Sequence, residues 1–239
     1  MHAMQQGNPT AATTGPIYVR AAADAALSAS GIWQNPYLET LRNGTMSKDS
    51  FRTSQEQFYF AVAFFSRPMA GLVARSPDYA SRVDILHNVV EEHGEFRLSH
   101  SHAATFGEFL TSLGSDVARV HTLRQAPAVH AFNSVLYSAC LLEELEVGIA
   151  CMGTIEHAFA EISARIGSGV VGRGWIASGD LKHYALHAEL DQRHADEFFA
   201  LLEPKWDDAV MRERIERGLA LGAHVFDRLY RELATLLSA

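Results

Sequence analysis

His187, Asp191 and His194 lie in the run His187-Ala188-Glu189-Leu190-Asp191-Gln192-Arg193-His194, in steps of four and then three residues. Both steps return a side chain to the same face of an α-helix, so two imidazoles and a carboxylate form one stripe. That donor set suits iron, zinc or manganese better than calcium or magnesium, which prefer oxygen alone. The flanking Leu181, Tyr184, Leu186, Leu190, Phe198, Phe199, Leu201 and Leu202 predict that much of this helix is buried. Polar groups facing a core need partners, and a coordinated metal supplies them. The competing explanation is a charged helix face that carries two histidines by chance.

Helical bundles build dinuclear centres from inward-facing carboxylates and histidines on several helices, so the stripe needs upstream partners. Glu156 is the best of these, with Ile149, Met152 and Ala160 on its own helical face. A carboxylate in such surroundings is paired with a cation, bound to a metal, or satisfied locally by a cap or water. His102 opens an apolar stripe through Phe106, Phe109, Leu110 and Leu113; the alternative for it is a neutral core histidine bonded to backbone. Glu92 and Glu95 compete for the remaining place. An uninterrupted helix would put Glu95 about 10 Å and Glu92 about 15 Å along the axis from His102. Gly94 signals a distortion there, and spacing alone leaves the choice open. His93 and His100 read as solvent-facing or supporting residues.

The elements that must position these residues are helical almost throughout. Strand-like alternation is missing, and Gly and Pro fall mainly at segment ends. The pattern predicts helices from about Tyr18 to Ser28 and from about Asn35 to Arg42. A long helix opens with capping chemistry at Ser47 or Lys48-Asp49 and is broken or kinked by Pro68. Further helices run from near Asp78 to the Gly94 segment and from about Ser99 to Leu113, stopping at Gly114. A long apolar element covers about Val129 to Ile166, with Gly148 and Gly153 as candidate breaks. A glycine loop from Gly167 to Gly179 leads to the metal-type helix, about Asp180 to Leu202, and a last helix spans about Asp207 to Leu237. The expectation is an all-α bundle of about seven helices, with 17–239 as a single domain and 1–16 as a disordered lead.

The chain's 239 residues carry a net charge of -8 with no basic patch, which argues against nucleic acid or an anionic membrane as partner. No apolar stretch reaches the roughly 18 residues of a membrane span, and the first residues lack a signal peptide's apolar core. Cys140 and Cys151 read as buried free thiols of a reducing compartment. Together these features point to a cytoplasmic protein. Twelve histidines are the unusual feature of the composition, and seven fall in two segments: His87, His93, His100 and His102, then His183, His187 and His194.

Taken together, the motifs resemble the haem-oxygenase-like diiron oxidases, from about Asn35 to the C-terminus. They comprise Asn43-Gly44-Thr45-Met46-Ser47 before a helix with Gln57 and Tyr59, then Glu91-Glu92-x-Gly94. His102-x3-Phe106, Leu113-Gly114, Gly153-x-Ile155-Glu156 and His187-x3-Asp191-x2-His194 follow in the family's order. The resemblance implies a haem-oxygenase-like seven-helix bundle whose six metal ligands fall on Glu92, His102, Glu156, His187, Asp191 and His194. Some members place the first glutamate seven residues before the histidine, which selects Glu95. Others place it about ten before, beside a glycine; the Glu-x-Gly context favours Glu92.

Three carboxylates and three neutral imidazoles leave a pair of Fe(II) ions with a net charge of +1. The resemblance implies two Fe ions (Fe2+/Fe3+) and O2 as co-substrate, through a peroxo-diiron(III) state that oxidises a small organic substrate. Amine or amino-acid N-oxygenation, C–H or C–C oxidation, and conversion of an internal tyrosine toward para-aminobenzoate all occur in similar proteins. Phe58, Tyr59, Phe60, Phe64 and Phe65 form an aromatic wall that reads as core, without a substrate role. Arg173 and Lys182 flank the glycine loop and are candidates to meet a substrate carboxylate. The bundle also resembles TenA and pyrroloquinoline quinone synthase, which need no diiron centre. TenA chemistry wants a nucleophilic cysteine with acidic partners. A haem oxygenase proper would need a proximal histidine in its first helices, and none occurs between His2 and His87. A metal-binding helical protein without activity is the remaining alternative. Long amphipathic helices fit a homodimer as well as an intramolecular core.

Overall fold

A computed structural model describes residues 17–236 of the chain. Among the described residues there are ten α-helices and no strand: α1 (Ile17–Ser30), α2 (Pro36–Arg42), α3 (Lys48–Arg75), α4 (Tyr79–Glu92), α5 (His102–Leu113), α6 (Val117–Val120), α7 (Pro127–Leu141), α8 (Leu145–Gly172), α9 (Lys182–Leu202) and α10 (Ala209–Thr235). None of them is long and apolar enough to cross a membrane. The segment 1–16, expected to be disordered, lies outside the described residues.

Local chemistry sets most of the helix starts. Asn35 caps α2 through the Tyr37 amide, with Pro36 in the first turn. Ser47, Asp78, Ser101 and Asp208 accept from backbone amides at the starts of α3, α4, α5 and α10. Gly114 ends α5 at φ 95°, the left-handed geometry that a glycine adopts without a Cβ penalty.

α8 is the axis of the fold. Every side chain from Glu146 to Glu156 is buried, and the helix packs against α9, α10 and α7. α8 and α9 approach closely at Gly153: a Cβ there would lie 2.9 Å from Phe198 Cβ and 2.9 Å from Phe199 Cε1. Gly148 and Gly153 therefore do not break the long apolar element, as its sequence suggested; they let helices touch. The break falls instead at residues 142–144, and Arg75 of α3 covers it by donating to the carbonyls of Cys140 and Glu143 at 2.7 and 2.5 Å.

Two further expectations change. α3 runs unbroken through Pro68, and α8 continues to Gly172, leaving only a short loop where a long glycine loop was expected. The helix count exceeds seven because the long apolar element is two helices, α6 is an unexpected short one, and the expected α2 stands as a separate short helix. Gln57, half of the Gln-x-Tyr motif, proves structural: its side chain accepts from the Ala126 amide at 2.7 Å and holds the approach to α7.

Candidate metal centre

α9 carries the stripe as its spacing requires. His183, His187, Asp191 and His194 are all fully buried. His187 Nδ1 lies 2.7 Å from Asp191 Oδ1, one turn along the same helix. A carboxylate only accepts, so this bond places the ring proton on Nδ1 and turns the Nε2 lone pair inward. His194 is fixed the same way from the other side. Its Nε2 donates to Glu91 Oε2 at 2.9 Å, and Arg193 holds the other Glu91 oxygen at 2.6 Å. The His194 Nδ1 lone pair then faces Glu156 Oε1, 3.8 Å away.

The remaining residues arrive from three other helices. Glu156 sits at the middle of α8 and is buried. α4 ends at Glu92, and the chain turns through Gly94, Glu95 and Phe96, all with positive φ (66°, 51° and 66°), before α5 starts at His102. A Cβ on Gly94 would lie 2.4 Å from the His100 carbonyl carbon, so this turn needs glycine. The turn settles which carboxyl meets the histidine. Glu95 is exposed outside the helix, whereas Glu92 Oε2 lies 2.5 Å from His102 Nδ1. The His102 ring stands edge-on to that of His187 with centroids 4.1 Å apart. Glu92, Glu156 and His194 offer donor atoms that all lie within 4.8 Å of one another. Four helices thus bring all six expected residues together. His93 and His100 are exposed, as their expected supporting or solvent-facing place allows.

The electrostatics of the cluster favour a cation. Burial, moderated by His187, His194 and His93 and reinforced by Glu91, lifts the Glu92 carboxyl to about 7. Glu156 is pushed well above the usual carboxylate range by burial and then by the charges of Asp191, Glu92 and Glu197. Burial and the neighbouring His187 hold His102 and His183 well below the ordinary imidazole value. His187 moves up: burial opposes this, and Asp191 and Glu92 outweigh it. Glu91 stays low against its burial because Arg193 and His194 bond to it.

Hydrogen bonding agrees. Both Glu92 oxygens, Glu156 Oε1, His187 Nε2, Asp191 Oδ2 and His194 Nδ1 are buried without a hydrogen-bond partner in the protein. Native interiors rarely leave such atoms unpaired. Unpaired atoms that converge on one place suit a shared ion as their partner. The residues present fit a carboxylate- and imidazole-bound metal pair.

Beside these atoms lies a pocket lined by Phe58, Ala61, Val62, Phe65, Phe132, Ile155, Phe159 and Phe226, with His102, Glu156, His187 and Asp191 at one side and His183 among them. The aromatic wall is therefore only partly core: Phe58 and Phe65 face the pocket. Arg173 and Lys182 do not reach it. Arg173 bonds to the Gly44 carbonyl at 2.7 Å and stacks over Trp175, and Lys182 pairs with Glu108 at 3.0 Å on the surface.

Two residues beside the expected ligands, Glu91 and His183, were given no role from the sequence, and the buried polar side chain of Asn88 was not singled out. Glu91 was hidden beside Glu92, since adjacent helical residues normally diverge; the end of α4 lets both serve. His183 sits four residues before His187, so the same spacing that exposed the stripe extends to it. Asn88, one turn before Glu92, is buried with both amide atoms unpaired. Only the helical step from Glu92 pointed there.

Comparison with known proteins fits this geometry. Residues 52–227 match a protein family described as iron-containing redox enzyme. A protein of Nitrosomonas europaea named 4-aminobenzoate synthase is 22% identical over 75% of this chain and 76% of its own length. Among solved structures, a domain of unknown function with a heme oxygenase-like fold from Shewanella denitrificans superposes with a TM-score of 0.74 at 14% identity, covering 92% of this chain and 90% of its own. A TenA homolog from Pseudomonas syringae pv. tomato gives a TM-score of 0.71 at 18% identity, covering 98% of this chain and 99% of its own. These likenesses establish a haem-oxygenase-like fold.

Proposed function

The chain belongs to the iron-containing redox enzyme family, and we propose that it is a non-haem diiron oxidase or oxygenase acting with O2 on a small organic substrate. Glu92, His102, Glu156, His187, Asp191 and His194 are the residues that would hold the two irons. When bound, such a pair supplies the electrons that reduce O2 and so the oxidising power for the substrate. The protein's own part is positioning. Asp191 and Glu91 fix the ring orientation of His187 and His194 through their outer nitrogens, which leaves the inner lone pairs as donors. The apolar lining of the adjoining pocket keeps water away and brings a substrate alongside the ligand set.

The observation that carries this reading is the convergence of unpartnered, buried donors from three helices, with His102 of a fourth against Glu92. Replacing Glu156 or His194 by Ala should abolish stoichiometric iron binding and O2 consumption, measured by metal analysis after anaerobic Fe(II) addition and by an oxygen electrode. Unchanged iron content in both variants refutes it. Oxygen uptake that rises on adding a substrate supports an oxidase, whereas uptake indifferent to any substrate supports iron storage. The relatives named 4-aminobenzoate synthase make aromatic amines and amino acids the first compounds to screen.

A TenA-like activity in the same fold finds less support. Both cysteines are buried and unpaired. Burial pushes the Cys151 thiol up to about 12 and Cys140 well above its usual value, and neither lines the pocket. A thiol in that state is a poor nucleophile.

A further inference from the structure

Apart from the proposed iron ligands, the described residues that line the pocket are apolar with one exception, His183. Its ring is fully buried, its centroid lies 4.3 Å from that of His187, and its Nε2 has no hydrogen-bond partner in the protein. The other nitrogen fixes the proton. Thr105 Oγ1 donates its hydrogen to the His102 carbonyl at 3.2 Å, and His183 Nδ1 lies 3.1 Å from the same oxygen. With its one hydrogen committed, the Thr105 hydroxyl can only accept, so Nδ1 carries the ring proton. His183 Nε2 is then a bare lone pair, an acceptor held inside an apolar pocket.

Building on the diiron reading, we propose that His183 Nε2 anchors the substrate, and that the substrate is a compact, largely apolar molecule, aromatic by preference, presenting one uncharged hydrogen-bond donor such as a hydroxyl or neutral amine. In the iron-free chain a carboxylate would meet a second acceptor at Nε2 beside the site's own carboxylates, and Arg173 and Lys182 are engaged elsewhere. Leaving a buried acceptor unpaired is costly, so a molecule that lacks the donor is penalised more than the loss of one contact implies. The five phenylalanines of the lining offer edges and faces for a flat ring. His183 stands one helical turn from His187, about 6 Å along α9, so an anchored molecule lies beside the ligand set.

The test compares para-cresol, toluene and para-toluate, which share a shape and differ in one group, by titration calorimetry on the full chain, both iron-free and iron-loaded. The expected result is para-cresol binding about tenfold more tightly than toluene, the effect of one buried hydrogen bond, with para-toluate weakest on the iron-free chain. His183→Leu should erase that preference, and His183→Gln, which keeps an acceptor, should restore part of it, with both variants holding as much iron as the wild type. A preference that survives in His183→Leu overturns the anchor, as does tighter binding of para-toluate to the iron-free chain. Loss of one iron per chain in both variants also overturns it, because His183 is then a ligand. Should His183→Leu fail to fold, the His183→Gln titration and the three-probe order on wild type carry the decision. Wild-type protein that takes up no iron overturns the diiron reading, and the comparison on the iron-free chain still decides the anchor.

Discussion

Glu91 accepts a hydrogen bond from His194 Nε2 at 2.9 Å across 103 positions of sequence, and in doing so decides which nitrogen of that histidine faces the carboxylates of the site. Removing it leaves the His194 ring free to rotate and to take the other tautomer. Glu91→Gln keeps the shape and loses the charge; Glu91→Ala loses both. We expect iron affinity to fall roughly 10–100-fold in Glu91→Ala and by less in Glu91→Gln, read from competition with a chelator of known strength. Equal affinity in all three proteins would show that Glu91 has no part in orienting His194.

The pH behaviour of the iron-free and iron-loaded protein should diverge. Burial holds Glu92 at about 7 and Glu156 well above its ordinary value of 4.5. Carboxyls raised by folding contribute stability that is complete below the unfolded value and is lost as pH climbs through the folded one. His102 and His183 are shifted the opposite way and are neutral, folded or unfolded, above about pH 7. They add no slope there. The raised His187 loses stability in the same direction as the carboxyls. Iron needs both glutamates ionised, so its affinity grows over that range. Between about pH 7 and 8.5 the Tm of the iron-free protein should drop while the gap to the anaerobic Fe(II) form widens. A gap that shrinks as pH rises contradicts these shifts.

Gly153→Ala probes the mounting of Glu156. The new methyl would come within 2.9 Å of both Phe198 and Phe199, so α8 and α9 must part. Overpacking of this kind costs about 1–3 kcal/mol. Because Glu156 is on one of these helices and three of the six expected ligands on the other, iron stoichiometry should fall along with the denaturation midpoint. A destabilised variant on a helix that gives no residue to the pocket or the ligand set, such as Leu27→Ala in α1, should unfold earlier and keep its iron.

Helical periodicity made the stripe on α9 readable, because steps of four and three translate directly into one face, and Glu156 stood out as a charge amid small and apolar neighbours. What local spacing left open was decided by tertiary contacts. The choice between Glu92 and Glu95 turned on three consecutive residues with positive φ, two of which are not glycine. Gly148 and Gly153 looked like helix breaks because glycine is a poor helix former in isolation, yet close packing against neighbouring helices outweighs that propensity. Arg173 and Lys182 were placed by loop position alone, and each is drawn off by a nearer partner. His183 followed the stripe's own rhythm, but its role depends on Thr105, seventy-eight residues earlier.

The turn at Gly94 divides the expected ligands into two unequal mechanical groups. Glu156, His187, Asp191 and His194 ride on the tightly packed pair α8 and α9, while Glu92 and His102 flank a corner whose Phe96 and Leu98 stand 84% and 81% exposed. An ion shared between the groups would work as a rivet, fastening a loosely seated elbow to a stiff shaft. Amide hydrogen exchange across residues 88–104 should then slow on loading far more than exchange within α8.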